Sequence, residues 1–251
     1  MLASSSSGNC AFVRTARTRL LIDAGLSRKE TFERLNAIGA DPSSLDGVLI
    51  THEHTDHVSG LPALARGGLP VYLSNLTAPT MAWPEGCFPH IETFQAGSTF
   101  AIGDVEISSF TIPHDAADPV GFRLRANGVT IGIVTDLGYI PDSIKFHLRE
   151  CDLLLLESNH DLEMLKVGPY PWSVKQRVMG RRGHLSNDSA ADFIRGELTS
   201  STSTLVLGHL SESNNFPDLV RLVASQALAA CSLRTQLVVA EPRRQSQLFS
   251  F

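Results

Sequence analysis

Short apolar runs alternate along this chain with stretches of helical spacing. The apolar runs are rich in Val, Ile and Leu and end at Gly, Pro, Asn or Asp, which is typical of strands. They predict strands at residues 11–14, 20–23, 47–51, 71–73, 105–112, 120–125, 129–135, 152–157, 205–207 and 237–240. Apolar positions three and four apart predict helices at residues 29–38, 58–66, 142–147, 172–178, 188–196 and 217–229.

The arrangement of these elements favours one compact α/β domain over residues 1–251. Residues 91–135 have the pattern of consecutive strands joined by turns, and Asn127-Gly128 between two apolar runs predicts a hairpin. Either Ser186 or Asn187 is expected to cap the helix that follows. No Pro/Ser-rich linker and no repeat of fixed period interrupts the sequence, and the polar residues 241–251 are expected to form a loosely held tail.

Composition limits the classes of protein to consider. Hydrophobic residues make up 43% and charged residues 19%, so a sizeable core is available. A net charge of -5 excludes a surface coated in positive charge, so any nucleic-acid binding must be local. The widely spaced cysteines (Cys10, Cys87, Cys151 and Cys231) are typical of reduced thiols, and no run approaches the roughly 18 apolar residues of a membrane span. We expect a soluble cytoplasmic protein.

The segment of residues 47–60 carries the strongest chemical signal. An apolar strand runs into His52-Glu-His-Thr-Asp-His57, which holds three of the nine histidines. In extended backbone, residues two apart project to the same side, so His52 and His54 can reach one metal ion together. Asp56 and His57 follow as the chain turns into a helix. Imidazole and carboxylate are ligands of catalytic zinc-type ions. The pattern therefore favours a metal-binding loop over a solvated loop with incidental histidines.

Further ligands are expected at the ends of other strands. His114 follows Thr111-Ile-Pro, Asp136 follows Ile133-Val-Thr, and His209 follows Leu205-Val-Leu-Gly. Side chains that follow apolar strands gather at one edge of a sheet. These residues would complete a site for two metal ions.

Several motifs together resemble the metallo-β-lactamase superfamily, most of all its YycJ/WalJ branch, which is related to ribonuclease Z and to cyclic phosphodiesterases. The resemblance spans residues 4 to about 210. The motifs are Ser5-Ser-Ser-Gly-Asn9, Leu21-Ile-Asp-Ala-Gly-Leu26, Thr51-His-Glu-His-Thr-Asp-His57, Val134-Thr-Asp-Leu-Gly138, Glu157-Ser-Asn-His-Asp161 and Arg182-Gly-His-Leu-Ser-Asn187.

The resemblance implies a four-layer αββα sandwich with two divalent metal ions (Zn²⁺ or Mn²⁺, with Fe²⁺ also compatible) at one edge of two sheets. The implied ligands are His52, His54 and His114 for the first metal and Asp56, His57 and His209 for the second, with Asp136 bridging them. Two such ions would share a hydroxide that acts as the nucleophile at neutral pH. Asp56 and His184 are the expected catalytic residues.

Four other residues receive roles beside this centre. In ribonuclease Z-like relatives a histidine in a motif similar to that of His184 protonates the leaving oxygen, although a capping or core histidine is the alternative. His160 would contact substrate, bind a further ion or orient a ligand. Asp23 is expected to support the His52 loop, and Asn9 is placed near the site by resemblance. His90 and His147 are expected to be surface or structural residues.

The substrate is indicated by a basic stretch between Lys166 and Arg182 that contains no acidic residue and includes Tyr170 and Trp172. Cations with aromatics suit a phosphodiester backbone and stacked bases, although a solvated basic helix has the same composition. Expected substrate-binding residues are Asn9, His160, Lys175, Arg177, Arg181 and Arg182.

The sequence therefore predicts a binuclear-metal phosphodiesterase acting on DNA or RNA, as an exonuclease. One alternative is a small-molecule phosphodiesterase acting on a cyclic nucleotide or a ribosyl cyclic phosphate. An acyl hydrolase would leave the basic stretch without a role. A metal-binding regulator without catalysis would not need His184 beside a complete ligand set.

Overall fold

The computed structural model describes residues 1–242 and 244–251, so Arg243, in the expected tail, lies outside the described residues. The described residues form two sheets. The strands in chain order are β1 (Ala11–Arg14), β2 (Arg19–Ile22), β3 (Gly47–Leu49), β4 (Val71–Ser74), β5 (Ile91–Phe94), β6 (Thr99–Ile102), β7 (Val105–Thr111), β8 (Val120–Ala126), β9 (Val129–Val134), β10 (Leu153–Glu157), β11 (Thr204–Gly208) and β12 (Gln236–Val239).

One sheet has the order β1-β2-β3-β4-β5 and the other the order β12-β11-β10-β9-β8-β7-β6. In the first sheet β2 to β5 are parallel, and β1 is antiparallel to β2. In the second sheet β9 to β12 are parallel, and β6 to β9 are antiparallel. The parallel strands of each sheet direct their carboxyl ends to one edge of that sheet, where loops can bring functional groups together.

Helices cover the outer face of each sheet. They are α1 (Arg28–Ala37), α2 (Thr55–Val58), α3 (Leu61–Ala65), α4 (Asp142–Leu148), α5 (Leu162–Val167), α6 (Trp172–Val178), α7 (Asn187–Gly196) and α8 (Pro217–Ala230), with 3-10 turns at Pro42–Ser44 and Ala78–Thr80. One apolar core lies between the sheets, and a further core lies between each sheet and its helices. The expected four-layer αββα sandwich is confirmed.

Strand periodicity explains why three separate cores form. Along β10, Leu153 and Leu155 pack between the sheets, whereas Leu154 and Leu156 pack against the outer helices. Successive side chains of a strand point to opposite faces, so a strand buried on both faces must be apolar at every position. This requirement explains why β10 consists of four consecutive leucines followed by one carboxylate, Glu157.

One predicted element is wrong and one was missed. The helix expected at residues 58–66 is two helices, α2 and α3, because the chain breaks at Gly60. A Cβ at Gly60 would lie 1.8 Å from the carbonyl oxygen of Leu26, so only glycine fits this approach. Helix α5 had no prediction. The hairpin is confirmed, since Ala126 pairs with Val129 across the turn, and Ser186 is the residue whose side chain caps α7.

Two features lie away from the edge where the parallel strands end. A cavity of about 390 Å³ opens between the sheets at their opposite edge, lined by aliphatic side chains and by residues 247–251. The tail residue Ser246 exchanges hydrogen bonds with Met1, through its backbone N–H and through its hydroxyl. No helix within the described residues is long and apolar enough to cross a membrane.

Candidate metal centre

The His52 loop is held in place by a buried carboxylate at the end of β2. Asp23 accepts hydrogen bonds from the backbone N–H of Thr51 at 2.8 Å and from the Thr51 hydroxyl at 3.0 Å. Its second oxygen accepts from Nδ1 of His57 at 2.8 Å. Asp23 thus fixes the start and the end of the loop, which is the supporting position that the sequence predicted for it.

A first cluster consists of His52, His54 and His114, which each offer one ring nitrogen within 4.8 Å of the other two. The Thr51 hydroxyl donates a hydrogen bond to Asp23. Its oxygen therefore accepts a hydrogen bond from Nδ1–H of His52 at 3.0 Å. Nε2 of His52 then carries a free lone pair, and this nitrogen has no hydrogen-bond partner among the described residues. Nδ1 of His114 donates to the carbonyl of Gly183 at 3.1 Å, which likewise leaves Nε2 to bind.

A second cluster consists of Asp56, His57 and His209, whose ligand atoms also lie within 4.8 Å. Oδ2 of Asp56 is 3.3 Å from Nε2 of His57 and 3.3 Å from Nε2 of His209. Asn9 is buried beside this cluster, and its Nδ2 donates to Oδ2 of Asp56 at 3.1 Å. The structure therefore brings Asn9 to the site as predicted, with its amide directed at the second cluster.

Asp136 lies between the two clusters. Its oxygens are 3.2 Å from Nε2 of His57, 3.4 Å from Nε2 of His209 and 3.9 Å from Nε2 of His114. Asp136 and His209 both have positive φ, at 62° and 56°. Backbone held in this region costs of order 1–3 kcal/mol and is concentrated at functional sites, where it aims a side chain.

Glu157 is a site residue that the sequence did not predict. It is fully buried, and its Oε1 accepts from Nδ1 of His184 at 2.8 Å and from Nδ1 of His209 at 2.9 Å. Its Oε2 accepts from the backbone N–H groups of Leu137 and Leu185. The signal that identifies it is the one used for Asp136, because Glu157 also ends a buried apolar strand.

The two clusters differ in their electrostatics. Burial holds the pKa of His52 well below its usual range, and burial also lowers the pKa of His114, so both present neutral imidazoles. In the second cluster burial acts in the same direction, but Asp136 and the carboxylates of Asp56 and Glu157 outweigh it and raise the pKa of His209 to about 10. The carboxylates therefore stabilise positive charge at this point.

Asp136 provides the negative charge beside His57 and His209. Burial opposes its ionisation, but the neighbouring His209 and His57 outweigh that effect and hold the pKa of Asp136 well below its usual range. An ionised carboxylate with no exposure to solvent needs a cation beside it. Neutral imidazoles on one side and carboxylates on the other are the donors that divalent transition metals prefer, so the residues present fit such ions.

His184 lies at the rim of the second cluster with part of its ring exposed. Burial lowers its pKa, but the Glu157 carboxylate outweighs burial and raises it above the usual histidine value. Since Nδ1 is engaged with Glu157, Nε2 is the atom left for a substrate. The structure thus brings His184 beside Glu157 and Asp136, next to the second cluster.

The three predicted substrate-binding arginines are exposed around the His114 loop. Arg177 pairs with Asp115 through both ends of its guanidinium, at 2.5 and 3.2 Å. Nε of Arg182 donates to the carbonyl of His114 at 3.0 Å. The guanidinium of Arg181 stacks on Tyr139 at 4.3 Å from the ring centre.

Lys175 and His160 are buried, as Asn9 is. Nζ of Lys175 donates to the carbonyl of Lys166 at 2.7 Å, so Lys175 is engaged inside the protein and is not available to a substrate. His160 is 1% exposed, and neither of its ring nitrogens has a hydrogen-bond partner among the described residues. Burial lowers its pKa to about 4, which keeps the ring neutral. His90 is exposed beside Glu92, as expected of a surface residue.

Comparison with known proteins supports the resemblance drawn from the motifs. The family model of the β-lactamase superfamily domain matches residues 18–209. The protein named exodeoxyribonuclease YycJ from Bacillus anthracis is 39% identical over 231 residues, which cover 91% of this chain and 88% of that protein. Exodeoxyribonuclease WalJ from Streptococcus pneumoniae is 38% identical over 240 residues, covering 93% of this chain and 88% of that protein.

A solved crystal structure has the same fold as this chain. The crystal structure of the metallo-β-lactamase fold protein YhfI from Bacillus subtilis superposes with a TM-score of 0.69, covering 96% of this chain and 93% of that one. The two chains are 17% identical, so this likeness concerns the fold alone. The predicted similarity to the YycJ/WalJ branch is confirmed.

Proposed function

The chain belongs to the β-lactamase superfamily, and we propose on that premise that it is a metal-dependent phosphodiesterase that shortens DNA from an end. The observation that carries the proposal is the juxtaposition of the two ligand clusters with Asp136 between them. The substrate is taken from the YycJ and WalJ proteins, which are named exodeoxyribonucleases and match this chain over most of its length.

We propose that the site holds two divalent ions, with Zn²⁺ and Mn²⁺ as the leading candidates. His52, His54 and His114 would hold one ion, and Asp56, His57 and His209 the other, with Asp136 touching both. When bound, such ions lower the pKa of water and neutralise charge on the phosphate oxygens. The buried lone pair of His52 supports this assignment, because a buried acceptor without a partner costs free energy unless a ligand satisfies it.

The residues around the ligands have the task of fixing ring orientation. Asp23 holds Nδ1 of His57, Glu157 holds Nδ1 of His209, and Gly183 holds Nδ1 of His114. Each contact leaves Nε2 directed into the site, which is the arrangement typical of metal-binding histidines.

His184 would supply the proton for the departing oxygen. Its raised pKa favours the protonated ring, in which Nδ1–H would remain with Glu157 while Nε2–H would face the substrate. General acid catalysis of this kind contributes about 10²–10⁴-fold in rate. The alkoxide of a sugar is a poor leaving group, so it depends on this proton.

The exposed Arg177, Arg181 and Arg182 would contact phosphates of the polymer. They surround the His114 loop, and they offset locally the chain's net charge of -5. A single basic rim beside an acidic metal centre suits a polyanion that is held along its length and cut at one phosphate. We also propose a reducing cytoplasmic setting, which the four unpaired cysteines support.

The test is a cleavage assay with a matched histidine control. Protein loaded with Zn²⁺ or Mn²⁺ is incubated with single- and double-stranded DNA and RNA, labelled at the 5′ end in one series and at the 3′ end in another, and with bis-p-nitrophenyl phosphate. We expect progressive shortening of DNA. His184→Ala should lower the DNA rate by about 10²–10⁴-fold and the bis-p-nitrophenyl phosphate rate far less, because p-nitrophenolate leaves without a proton.

The control is His90→Ala, which removes an exposed histidine that pairs with Glu92. It should leave both rates unchanged. Turnover of only the small diester, or of cyclic nucleotides, by wild-type protein would assign the site to small phosphodiesters and overturn the DNA proposal. Equal losses on both substrates in His184→Ala would remove the proton-donor role.

A further inference from the structure

Three apolar side chains are exposed on the segments that follow β10 and β11. Val167 ends α5, Trp172 begins α6 and Phe216 directly precedes α8. Val167 is 85% exposed, Trp172 63% and Phe216 48%, and we call them the apolar rim. Large apolar side chains that remain exposed beside a functional site are candidates for a binding surface. Glu157 ends β10 and His209 directly follows β11, so the segments that carry the apolar rim start at the edge of the sheet where the metal centre lies.

The loops that carry the apolar rim are tied together. The backbone N–H of Asp161 donates to the carbonyl of Asn214, and a Cβ at Gly168 would lie 2.3 Å from Oδ1 of Asn214. Val167 therefore stands one residue from the point where the α5 loop meets the loop that leads to Phe216.

Trp172 is presented by a rigid segment. Pro169 and Pro171 precede it, and prolines limit the backbone freedom that binding would otherwise have to remove. Lys175, one turn further along α6, is buried and donates from Nζ to the carbonyl of Lys166 in α5. This contact braces α6 against α5. The buried Lys175 thus fixes the helix that carries the exposed Trp172.

The same helix leads from the apolar rim to the metal centre. Trp172 begins α6 and Arg177 lies near its end, about 7.5 Å further along the axis, which is roughly two steps of stacked bases at about 3.4 Å each. Arg177 pairs with Asp115, the residue after the proposed ligand His114. A strand whose scissile phosphate lies at the metals would therefore meet Arg177 first and Trp172 next.

We propose that the apolar rim stacks unpaired bases of the DNA strand next to the scissile phosphate, with Trp172 as its main platform. The inference rests on the proposed function and narrows the substrate to single-stranded or frayed ends. Bases stack on aromatic side chains without regard to sequence, while neighbouring cations hold the phosphates. Trp172 and Phe216 supply the flat apolar surfaces, and Arg177, Arg181 and Arg182 supply the cations.

Fluorescence gives a direct test, because the chain has two tryptophans. In Trp83→Phe protein, Trp172 is the sole tryptophan. A His184→Ala background, which slows cleavage, is titrated with oligothymidylate and with an abasic phosphodiester of equal length. We expect saturable quenching by oligothymidylate and little by the abasic strand. Equal effects of the two strands, or no change with either, would overturn the proposal.

Kinetics supply the second arm. Trp172→Ala is expected to raise KM for single-stranded DNA by about 5- to 100-fold relative to the same variant's KM for bis-p-nitrophenyl phosphate, the range for loss of one stacked base. The matched control is Phe88→Ala, an aromatic that is 92% exposed just before β5, at the edge opposite the metals. Phe88→Ala should leave the ratio unchanged.

The two proposals can fail separately. Wild-type protein that cleaves only bis-p-nitrophenyl phosphate contradicts the DNA proposal and, with it, the rim. Wild-type protein that shortens DNA, with Trp172→Ala unchanged in KM, overturns the rim alone. A wild-type dimer in sedimentation that Trp172→Ala converts to monomer would assign the rim to a second copy of the chain instead.

Discussion

Glu157 connects the two kinds of chemistry at the candidate site. Its Oε1 accepts from His184, the proposed proton donor, and from His209, a proposed metal ligand. Burial alone would raise the pKa of Glu157, but the two histidines outweigh burial and lower it to about 2. The carboxylate is therefore charged throughout the working pH range and fixes the orientation and the charge of both rings.

Replacing this charge with an amide gives a test of the connection. In Glu157→Gln the shape is retained but the carboxylate that raises the pKa of His184 is lost, so His184 loses its proton at lower pH. We expect the alkaline limb of kcat/KM for DNA to move to lower pH. Activity at neutral pH should fall by about 10–100-fold, the usual cost of removing an outer partner of a metal ligand.

Glu163→Gln is the matched control, because Glu163 is an exposed carboxylate that pairs with Lys166. It should alter neither the rate nor the pH profile. A Glu157→Gln profile whose alkaline limb stays in place while metal content falls would show that Glu157 acts on His209 alone.

At the scale of single residues, strand ends decided what the sequence could predict. His114, Asp136 and His209 were found because each follows an apolar run, and the structure brings them together. Glu157 follows the same rule but was overlooked, since its partners lie 27 and 52 residues away. The prediction of Lys175 as a substrate-binding residue was wrong for a related reason. The sequence shows a lysine on a helix, but it does not reveal that the ammonium group donates a hydrogen bond to a carbonyl of another helix.

At the scale of elements, the position of α2 depends on close backbone contact. Gly25 lies directly against α2, and a Cβ there would be 1.8 Å from the carbonyl oxygen of Asp56 and 2.5 Å from the backbone nitrogen of Asn9. Backbone atoms on both sides leave no room for a side chain. The position of Asp56 and His57 therefore depends on a glycine outside the metal-binding motif.

Gly25→Ala is expected to lower the free energy of unfolding by about 1–3 kcal/mol or more, because overpacking against backbone cannot be relieved by rotating a side chain. Gly196→Ala is the control, since a Cβ at the end of α7 meets nothing within 4 Å. That change should be neutral or stabilise by up to about 1 kcal/mol. Urea unfolding of the three proteins measures both effects, and equal stability of Gly25→Ala and wild type would contradict the contact.

Element prediction succeeded where periodicity was long and failed where tertiary contacts set the boundaries. Helix α8 and strands β7 to β11 have strong patterns and were predicted to within two residues. The break between α2 and α3 is set by the approach of Gly60 to Leu26, which no local pattern records. Helix α5 has six residues, too few for a helical repeat to stand out from its loop.

At the scale of the whole molecule, the candidate site joins the two halves of the sandwich. His52, His54, Asp56 and His57 follow β3 of the five-stranded sheet. His114, Asp136 and His209 follow β7, β9 and β11 of the seven-stranded sheet. The resemblance to a known family predicted the four layers, but the strand order within each sheet could not be predicted, because pairing of distant strands leaves no mark in local sequence.

This placement predicts that metal ions stabilise the fold as well as the reaction. An ion held by ligands from both sheets binds only the folded chain, so at 100 times its Kd it adds about 2.7 kcal/mol to the free energy of unfolding. For a chain of this size that gain corresponds to a rise in Tm of roughly 5–10 °C. Thermal unfolding followed by circular dichroism, with Mn²⁺ or Zn²⁺ and again with excess EDTA, measures the difference.

The variant Asp136→Asn separates this effect from general binding of cations. Asp136 is 2% exposed between histidines of both clusters, so its carboxylate would contribute to the binding of either ion. The rise in Tm with metal, measured against the Tm of the same variant in EDTA, should therefore shrink in Asp136→Asn. The Tm in EDTA should fall as well, because His57 and His209 lose the buried carboxylate beside them. Asp192→Asn, which alters an exposed carboxylate paired with Arg195, should keep the full rise. If wild-type Tm were the same with metal and with EDTA, the ions would not join the two sheets, and the shared role of Asp136 would be wrong.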